Sequence, residues 1–342
     1  MSSPGPVSGP GDVAAQASLD RSDMAQLSPP SPATAPGPRK VPRRRGDTVF
    51  ASLAVGAGIV ILLALAGVAI FLLIEGLPAI TGDQAEIAGG KGFWRFVGPV
   101  LFGTIWAAVL ALIVATPLAI GIALFISHYA PRRLASGLGY IVDLLAAVPS
   151  VVFGLWGIFI FAPYLVPIYS WLGENLSFIP LFAGPASGSG RTIGTAALVL
   201  AVMILPIMTA VCREVFLQTP RLHEEAALAM GATRWEMIRM AVLPYGRSGV
   251  ISAGMLGLGR ALGETVAVAL ILSVSRGSVT TNLISTQNPS TIAANIALDF
   301  PESTGIDVNV LIASGLVLFL LTFVVNYLAR AIAARQFSGA AG

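Results

Sequence analysis

The chain has 342 residues, of which 55% are hydrophobic and only 11% charged, less than half the roughly 25% charged residues of soluble domains. With a mean hydropathy of +0.82, this composition excludes an ordinary water-soluble enzyme, a collagen-like rod and a wholly disordered chain. The lone Cys212 excludes an intrachain disulfide framework and a cysteine-cluster metal site, and because the net charge is only +3, the positions of the charges carry more information than their sum.

Residues 1–45 are rich in Pro, Ser, Gly and Ala, with almost no large apolar side chain. Such a stretch cannot bury enough apolar area to offset its ordering entropy, so a disordered tail is expected. It does not read as a signal peptide, because the apolar run begins too late. The tail ends in Arg39-Lys40 and Arg43-Arg44-Arg45. That cluster suits a topology anchor on anionic lipid, with a regulatory or partner-binding tail as the alternative.

Six apolar runs follow, at about 50–74, 101–127, 141–162, 195–217, 249–274 and 309–332, each long enough to cross ~30 Å of hydrocarbon. They predict an all-α membrane protein, a six-transmembrane-helix bundle over 46–335. Pro117, Pro149 and Pro206 mark kinks or interruptions, and the backbone groups they free must be satisfied by neighbouring helices. With a cytoplasmic amino terminus, 15 of the 20 Lys and Arg fall on inner segments. Lys91, Arg95, Arg191 and Arg276 fall outside, and Arg260 lies within a span. This positive-inside bias places both termini in the cytoplasm. The outer connectors, about 75–100, 163–194 and 275–308, read as solvated links or as a docking face for an outside partner.

Between the fourth and fifth runs, residues 218–248 read as ordered. Thr219 can cap a helix whose first turn holds Pro220. The helix covers 221–230 and Gly231 stops it. A second, amphipathic helix at about 233–242 carries Trp235, Met237, Ile238 and Met240, and Leu243-Pro244 closes it. Glu225-Ala226-Ala227, three residues, Gly231, nine residues, then Ala241-Val242-Leu243-Pro244 resembles the EAA loop of ABC-importer permeases. The family pattern usually has Ile where this chain has Ala241. The resemblance implies a coupling helix that docks in a groove on an ATPase subunit. Ala226 and Ala227 permit close approach, Glu225 offers a charged contact and Gly231 allows a sharp turn. The competing reading is an amphipathic helix on the inner leaflet, for which the basic residues are few and dispersed.

The fifth run contains Leu258-Gly259-Arg260-Ala261-Leu262-Gly263-Glu264-Thr265. Arg260 lies roughly 16 Å into the helix from Gly249, where a lipid-facing Arg costs about 2.5–3.5 kcal/mol. A bundle-interior or water-filled position is therefore expected. At spacing i, i+4, Arg260 and Glu264 would share a helix face. Gly259 and Gly263 would form a small-xxx-small contact with another helix. A purely structural Arg–Glu pair is one reading. The other is an anion path, in which the guanidinium fork binds phosphate oxygens. Glu264 would then neutralise Arg260 between anions and accept a hydrogen bond from protonated phosphate. Arg213-Glu214 reads as interfacial anchoring.

The run Gly-Leu-Gly-Arg-Ala-Leu-Gly-Glu-Thr resembles the PstC-type permease of phosphate ABC importers, a likeness extending over about 50–335. It implies that Arg260 and Glu264 are the transport-critical charges. It also implies a bacterial plasma-membrane complex with a second permease subunit (PstA type), ATPase subunits (PstB type) and an extracytoplasmic phosphate-binding protein. Sulfate and molybdate permeases share parts of the motif.

The chain itself carries no Walker A site, because Val41 follows Lys40 and Gly92 follows Lys91; ATP would be hydrolysed by a partner. No cofactor or nucleic acid is expected. His128 and His223 lie far apart and form no zinc signature. A secondary anion transporter would need its own coupling-ion site, and an intramembrane enzyme would need a catalytic constellation that the spans lack.

Overall fold

A computed structural model describes residues 45–83, 87, 89, 90, 92–272 and 279–338. The expected tail, the basic residues at 39–44, Lys91 and Arg276 lie outside the described residues. All the longer regular elements are helices: α1 (Arg45–Thr81), α2 (Phe93–Leu124), α3 (Arg132–Ala146), α4 (Ser150–Asn175), α5 (Ile193–Leu217), α6 (Arg221–Ala229), α7 (Arg234–Met237), α8 (Leu243–Leu262), α9 (Val266–Ile271), α10 (Ile292–Asp299) and α11 (Ile306–Ser338).

The chain forms two units, Met1–Leu62 and Leu63–Gly342. The described part of the first is the amino-terminal portion of α1, apolar all round its circumference and exposed, as at Leu53, Ile59 and Leu62. A helix with that pattern is at home in hydrocarbon rather than water.

In the second unit the core centres on α2 and α5, the most extensive helix pair. α2 buries Ala107, Ala111, Ala115, Ala119 and Ala123, spaced four apart, at no more than 1% exposure. These small side chains let α5 approach with Val199, Leu200, Ile204, Met208 and Cys212. In lipid, helices gain from such close packing because apolar burial alone gives no preference for a neighbour over a lipid tail. α2 and α5 run unbroken through Pro117 and Pro206. α8 packs against α5, α2 and α11.

Five helices among the described residues are long and apolar enough to cross a membrane: Val49–Thr81, Phe93–Tyr129, Ser150–Asn175, Ile193–Leu217 and Ile306–Ala331. Two expected spans are drawn differently. The run at 141–162 straddles a break at Ala147–Pro149: α3 before it is amphipathic, and the long helix starts at Ser150 and continues to Asn175. Pro149 disfavours helical geometry at Val148 and is itself well placed just ahead of the next helix. The run at 249–274 breaks at Gly263, so α8 and α9 are separate helices.

The connectors are not simply solvated links. Asn288, Ser290, Thr291 and Ser187 are buried. Asn288 Oδ1 accepts from the Ile193 amide at 3.0 Å, and its Nδ2 donates to the Arg191 carbonyl at 3.1 Å. Asn282 Oδ1 accepts from the amides of Ile284 (2.9 Å) and Ser285 (3.0 Å). Thr104 Oγ1 on α2 accepts from the Ile292 amide at the start of α10, at 2.9 Å. Buried backbone without such partners would lose about 1–3 kcal/mol per group, so these Asn and Thr residues are what allow irregular chain to sit inside the fold.

Candidate functional site

Arg260 occupies the last turn of α8. There the unsatisfied carbonyls at the helix end favour a cation. The residue is half-buried and lines an open cavity of about 620 Å³. The apolar wall is made by Ile207 of α5 and Ile251, Met255 and Leu256 of α8. The polar groups are Arg260, Ser252, and Asn326 and Arg330 from α11. The lining holds two guanidiniums and no carboxylate.

Arg260 and Glu264 do not form an ion pair among the described residues. The shared helix face expected for them fails because α8 ends at Leu262, between the two. Beyond the break, Glu264 is buried at 8% exposure, and its Oε1 accepts from the Ala267 amide at 3.1 Å. A carboxylate three residues ahead of a free amide is the geometry of a helix cap, so Glu264 holds the start of α9. On the far side, Arg191 donates from Nε to the Ile271 carbonyl at 3.3 Å. Its Nη2 donates to those of Leu270 (3.3 Å) and Leu272 (3.4 Å). The short α9 is thus held at both ends by side chains.

Gly259 and Gly263 do not make the expected helix contact. A Cβ on Gly259 would meet open space, and one on Gly263 only the Gly259 carbonyl. The close approach is made one face round, by Gly246, Gly249, Ala253 and Gly257. A Cβ on Gly257 would stand 2.7 Å from Met208 Sδ, and one on Gly246 2.7 Å from the Phe216 ring. Ala253 is fully buried. These spacings keep one small-residue stripe against α5.

In the 218–248 loop, α6 starts directly after Pro220 with no side-chain cap. Thr219 Oγ1 is buried without a partner. Most of α6 is exposed, including Leu222, Glu225, Ala226 and Ala229 at i, i+3, i+4, i+7 spacing, whereas Ala227 is buried. Met230 is 80% exposed. Gly231 turns the chain at φ 87°, a region only glycine enters freely. Thr233 and Glu236 form a capping box: Thr233 Oγ1 accepts from the Glu236 amide at 3.3 Å, and Glu236 Oε2 accepts from the Thr233 amide at 2.8 Å. The Thr233 backbone bond, helped by its hydroxyl, lowers the Glu236 carboxyl below its usual range.

Leu243-Pro244 does not close the second helix. α7 continues through a π turn at Ile238–Val242 into α8. Pro244 lies inside this continuous helix just after the π turn, so its missing N–H falls where the hydrogen-bond ladder already departs from the α pattern. Met237, Ile238 and Val242 anchor the loop in the main core. His128 Nε2, in the π turn at Phe125–Tyr129 that follows α2, lies 3.5 Å from Glu224 Oε1, and Arg213 Nη2 lies 3.8 Å from Asp143 Oδ2 of α3.

Residues 115–338 match the family described as the binding-protein-dependent transport system inner membrane component. The chain belongs to this family. The phosphate transport system permease protein PstC 2 of Mycobacterium tuberculosis is 47% identical to it over 309 residues, covering 87% of this chain and 95% of that protein. The phosphate transport system permease protein PstC of Xylella fastidiosa is 37% identical over 316 residues, covering 88% and 94%. The fold resembles a chain of a bacterial ABC transporter involved in the import of the acidic polysaccharide alginate, with a TM-score of 0.57 at 17% identity over 85% of this chain and 96% of that one.

As a member of this inner-membrane family, the chain is a multi-pass membrane protein. The residues lining the Arg260 cavity that sequence reasoning missed are Arg330 and Asn326; it also missed Arg191, which holds the end of α9. Arg330 counts as an inner-side charge in a positive-inside tally, and nothing in its immediate sequence says that it lines the same cavity as Arg260. The Thr-x-x-Glu capping box was readable in principle from residues 233–236.

Proposed function

We propose that this inner-membrane component is the transmembrane permease subunit of an ATP-driven phosphate importer, a non-catalytic subunit that forms the translocation path with a second, PstA-type permease. PstB-type ATPase subunits would supply the energy, and an extracytoplasmic phosphate-binding protein would deliver the anion. Moving an anion inward against the membrane potential costs about 2.3 kcal/mol per charge per 100 mV, so accumulation needs such a drive. The names of the relatives, at 37–47% identity over nearly their full length, support phosphate as the cargo.

The observation that carries the reading is Arg260, a guanidinium with no carboxylate partner among the described residues, on the wall of a cavity. A multidentate donor in a partly desolvated site is suited to a tetrahedral oxyanion. In this reading Glu264 is a positioning residue: by capping α9 it fixes the break that leaves Arg260 at the end of α8. Gly259 and Gly263 keep the Arg260 face open toward the second permease.

The 218–248 loop is the ATPase-coupling element, on the cytoplasmic side with both termini. Its exposed Leu222, Glu225, Ala226 and Ala229 face, together with the turn at Gly231, fits a groove on the ATPase. Buried Ala227 and the Leu243-Pro244 junction tie it to α8.

The test is radiolabelled phosphate uptake in cells lacking the chain and complemented with it. Arg260→Ala should abolish uptake while the complex still assembles, and excess sulfate or molybdate should not compete. Normal uptake by the Arg260→Ala variant would remove the path role, and competition by sulfate or molybdate would reassign the cargo to another oxyanion.

A further inference from the structure

We propose that Arg330 is a second anion-binding residue of the same path, so that the oxyanion is held by guanidiniums from two helices, α8 and α11. The inference rests on the permease reading above for the identity of the anion. Its geometry is independent of that reading.

Arg330 and Arg260 line one cavity. Neither has an ion pair or hydrogen bond among the described residues. Arg260 is half-buried and Arg330 exposed on this open cavity; two like charges on one wall repel each other, and the lining offers no carboxylate to offset them. An anion between them relieves both costs at once. A residue serving only as a topology anchor needs no place on a cavity wall.

The neighbouring polar groups favour an oxyanion that still carries a proton. Asn326 sits one turn before Arg330 on α11 and lines the same cavity, so its amide can donate to one phosphate oxygen and accept from a P–OH. Ser252 Oγ donates its hydrogen to the Ser248 carbonyl at 3.0 Å, which leaves its oxygen to accept. A fully deprotonated tetrahedral anion could use the guanidiniums but would face these acceptors with nothing to give. Asn326 and Ser252 thereby take over the discriminating role that the sequence assigned to Glu264, whose Oε1 is engaged at the Ala267 amide.

The test uses charge restored after assembly. The assembled importer carrying Arg330→Cys is purified in detergent, treated with a trimethylammonium-ethyl or a sulfonatoethyl methanethiosulfonate, and reconstituted for phosphate uptake. Cys212 is fully buried, and the wild-type importer given the same reagents controls for cysteines on the partner subunits. Uptake at subsaturating phosphate should fall about tenfold in R330C, the equivalent of one charge-assisted hydrogen bond. The cationic reagent should restore most of it and the anionic reagent none. Because insertion is complete before treatment, a topological role would respond to neither reagent.

Wild-type uptake by R330C, or equal effects of the two reagents, would overturn the proposal. If R330C does not assemble, Arg330→Lys and Arg330→Gln replace it, with uptake expected to persist in the first and fall in the second; equal uptake by both would also overturn it. An Arg260→Ala arm separates the two readings. Loss there with a neutral R330C sinks only the Arg330 assignment, whereas normal uptake by Arg260→Ala sinks the permease path itself.

Discussion

The Glu264 carboxylate accepts a hydrogen bond from the Ala267 amide at 3.1 Å across the break between α8 and α9. A charge inside an apolar run is thereby committed to backbone rather than to the guanidinium four residues earlier. The break, the cap and the terminal position of Arg260 are one arrangement: remove the cap, and α9 loses the group that fixes its first turn.

Glu264→Ala should therefore destabilise the purified complex by about 1 kcal/mol, as for loss of a helix cap, and should lower phosphate uptake. Glu264→Gln keeps an acceptor oxygen at the same place and should restore most of the thermal stability. The comparison is made by melting the detergent-purified variants. Equal melting temperatures for the Ala and Gln variants would mean that the cap does not carry the effect.

Gly231 stands at φ 87° with nothing within 4 Å of a Cβ built on it. Its substitution is thus penalised by backbone conformation rather than by crowding. Gly231→Ala should cost roughly 1–2 kcal/mol locally, and Gly231→Val more because of its β-branch. Both should assemble but uncouple ATP hydrolysis from uptake, with the larger loss in the Val variant. Measuring ATPase and uptake on the same preparations checks this; full coupling in the Val variant would contradict the role given to the turn.

Two glycines two residues apart should respond in opposite ways. Gly257→Val places atoms against Met208 Sδ, 2.7 Å from the new Cβ, and overpacking of this kind costs typically about 1–3 kcal/mol. Gly259→Ala meets nothing within 4 Å in this chain and should leave the isolated subunit intact. The yield of monodisperse protein on size exclusion should fall for the first and not for the second. Met208→Ala should recover part of the Gly257→Val loss.

Hydropathy alone was enough to locate α1, α2, α5 and α11, because each is a long apolar run, and Pro117 and Pro206 do not break α2 and α5. It could not find the break at Gly263, since Leu262 and Val266 continue the apolar run on either side and the decisive interaction is a side-chain-to-backbone bond. Nor could it tell the stripe that packs from the stripe that stays open. Gly246, Gly249 and Gly257 on one side and Gly259 and Gly263 on the other have the same spacing chemistry, and only the position of α5 distinguishes them. Pro149 was legible as an interruption, but which flank carried the long helix was decided by α3, whose charged start and amphipathic pattern keep it from being a span. The Arg260 motif was legible as a cluster of glycines around a charge. Its companion Arg330 lies 70 residues further along the sequence, so only the folding of α11 against α8 could bring the two to one cavity.

The π turn at Ile238–Val242 has a mechanical consequence. Because helix continues from Arg234 to Leu262, Arg234 and Arg260 are joined by a single helix roughly 40 Å long, interrupted only by the π turn and Pro244. The Trp235 end and the guanidinium therefore belong to one helix, and the π turn with Pro244 is where that helix can bend or change register between them.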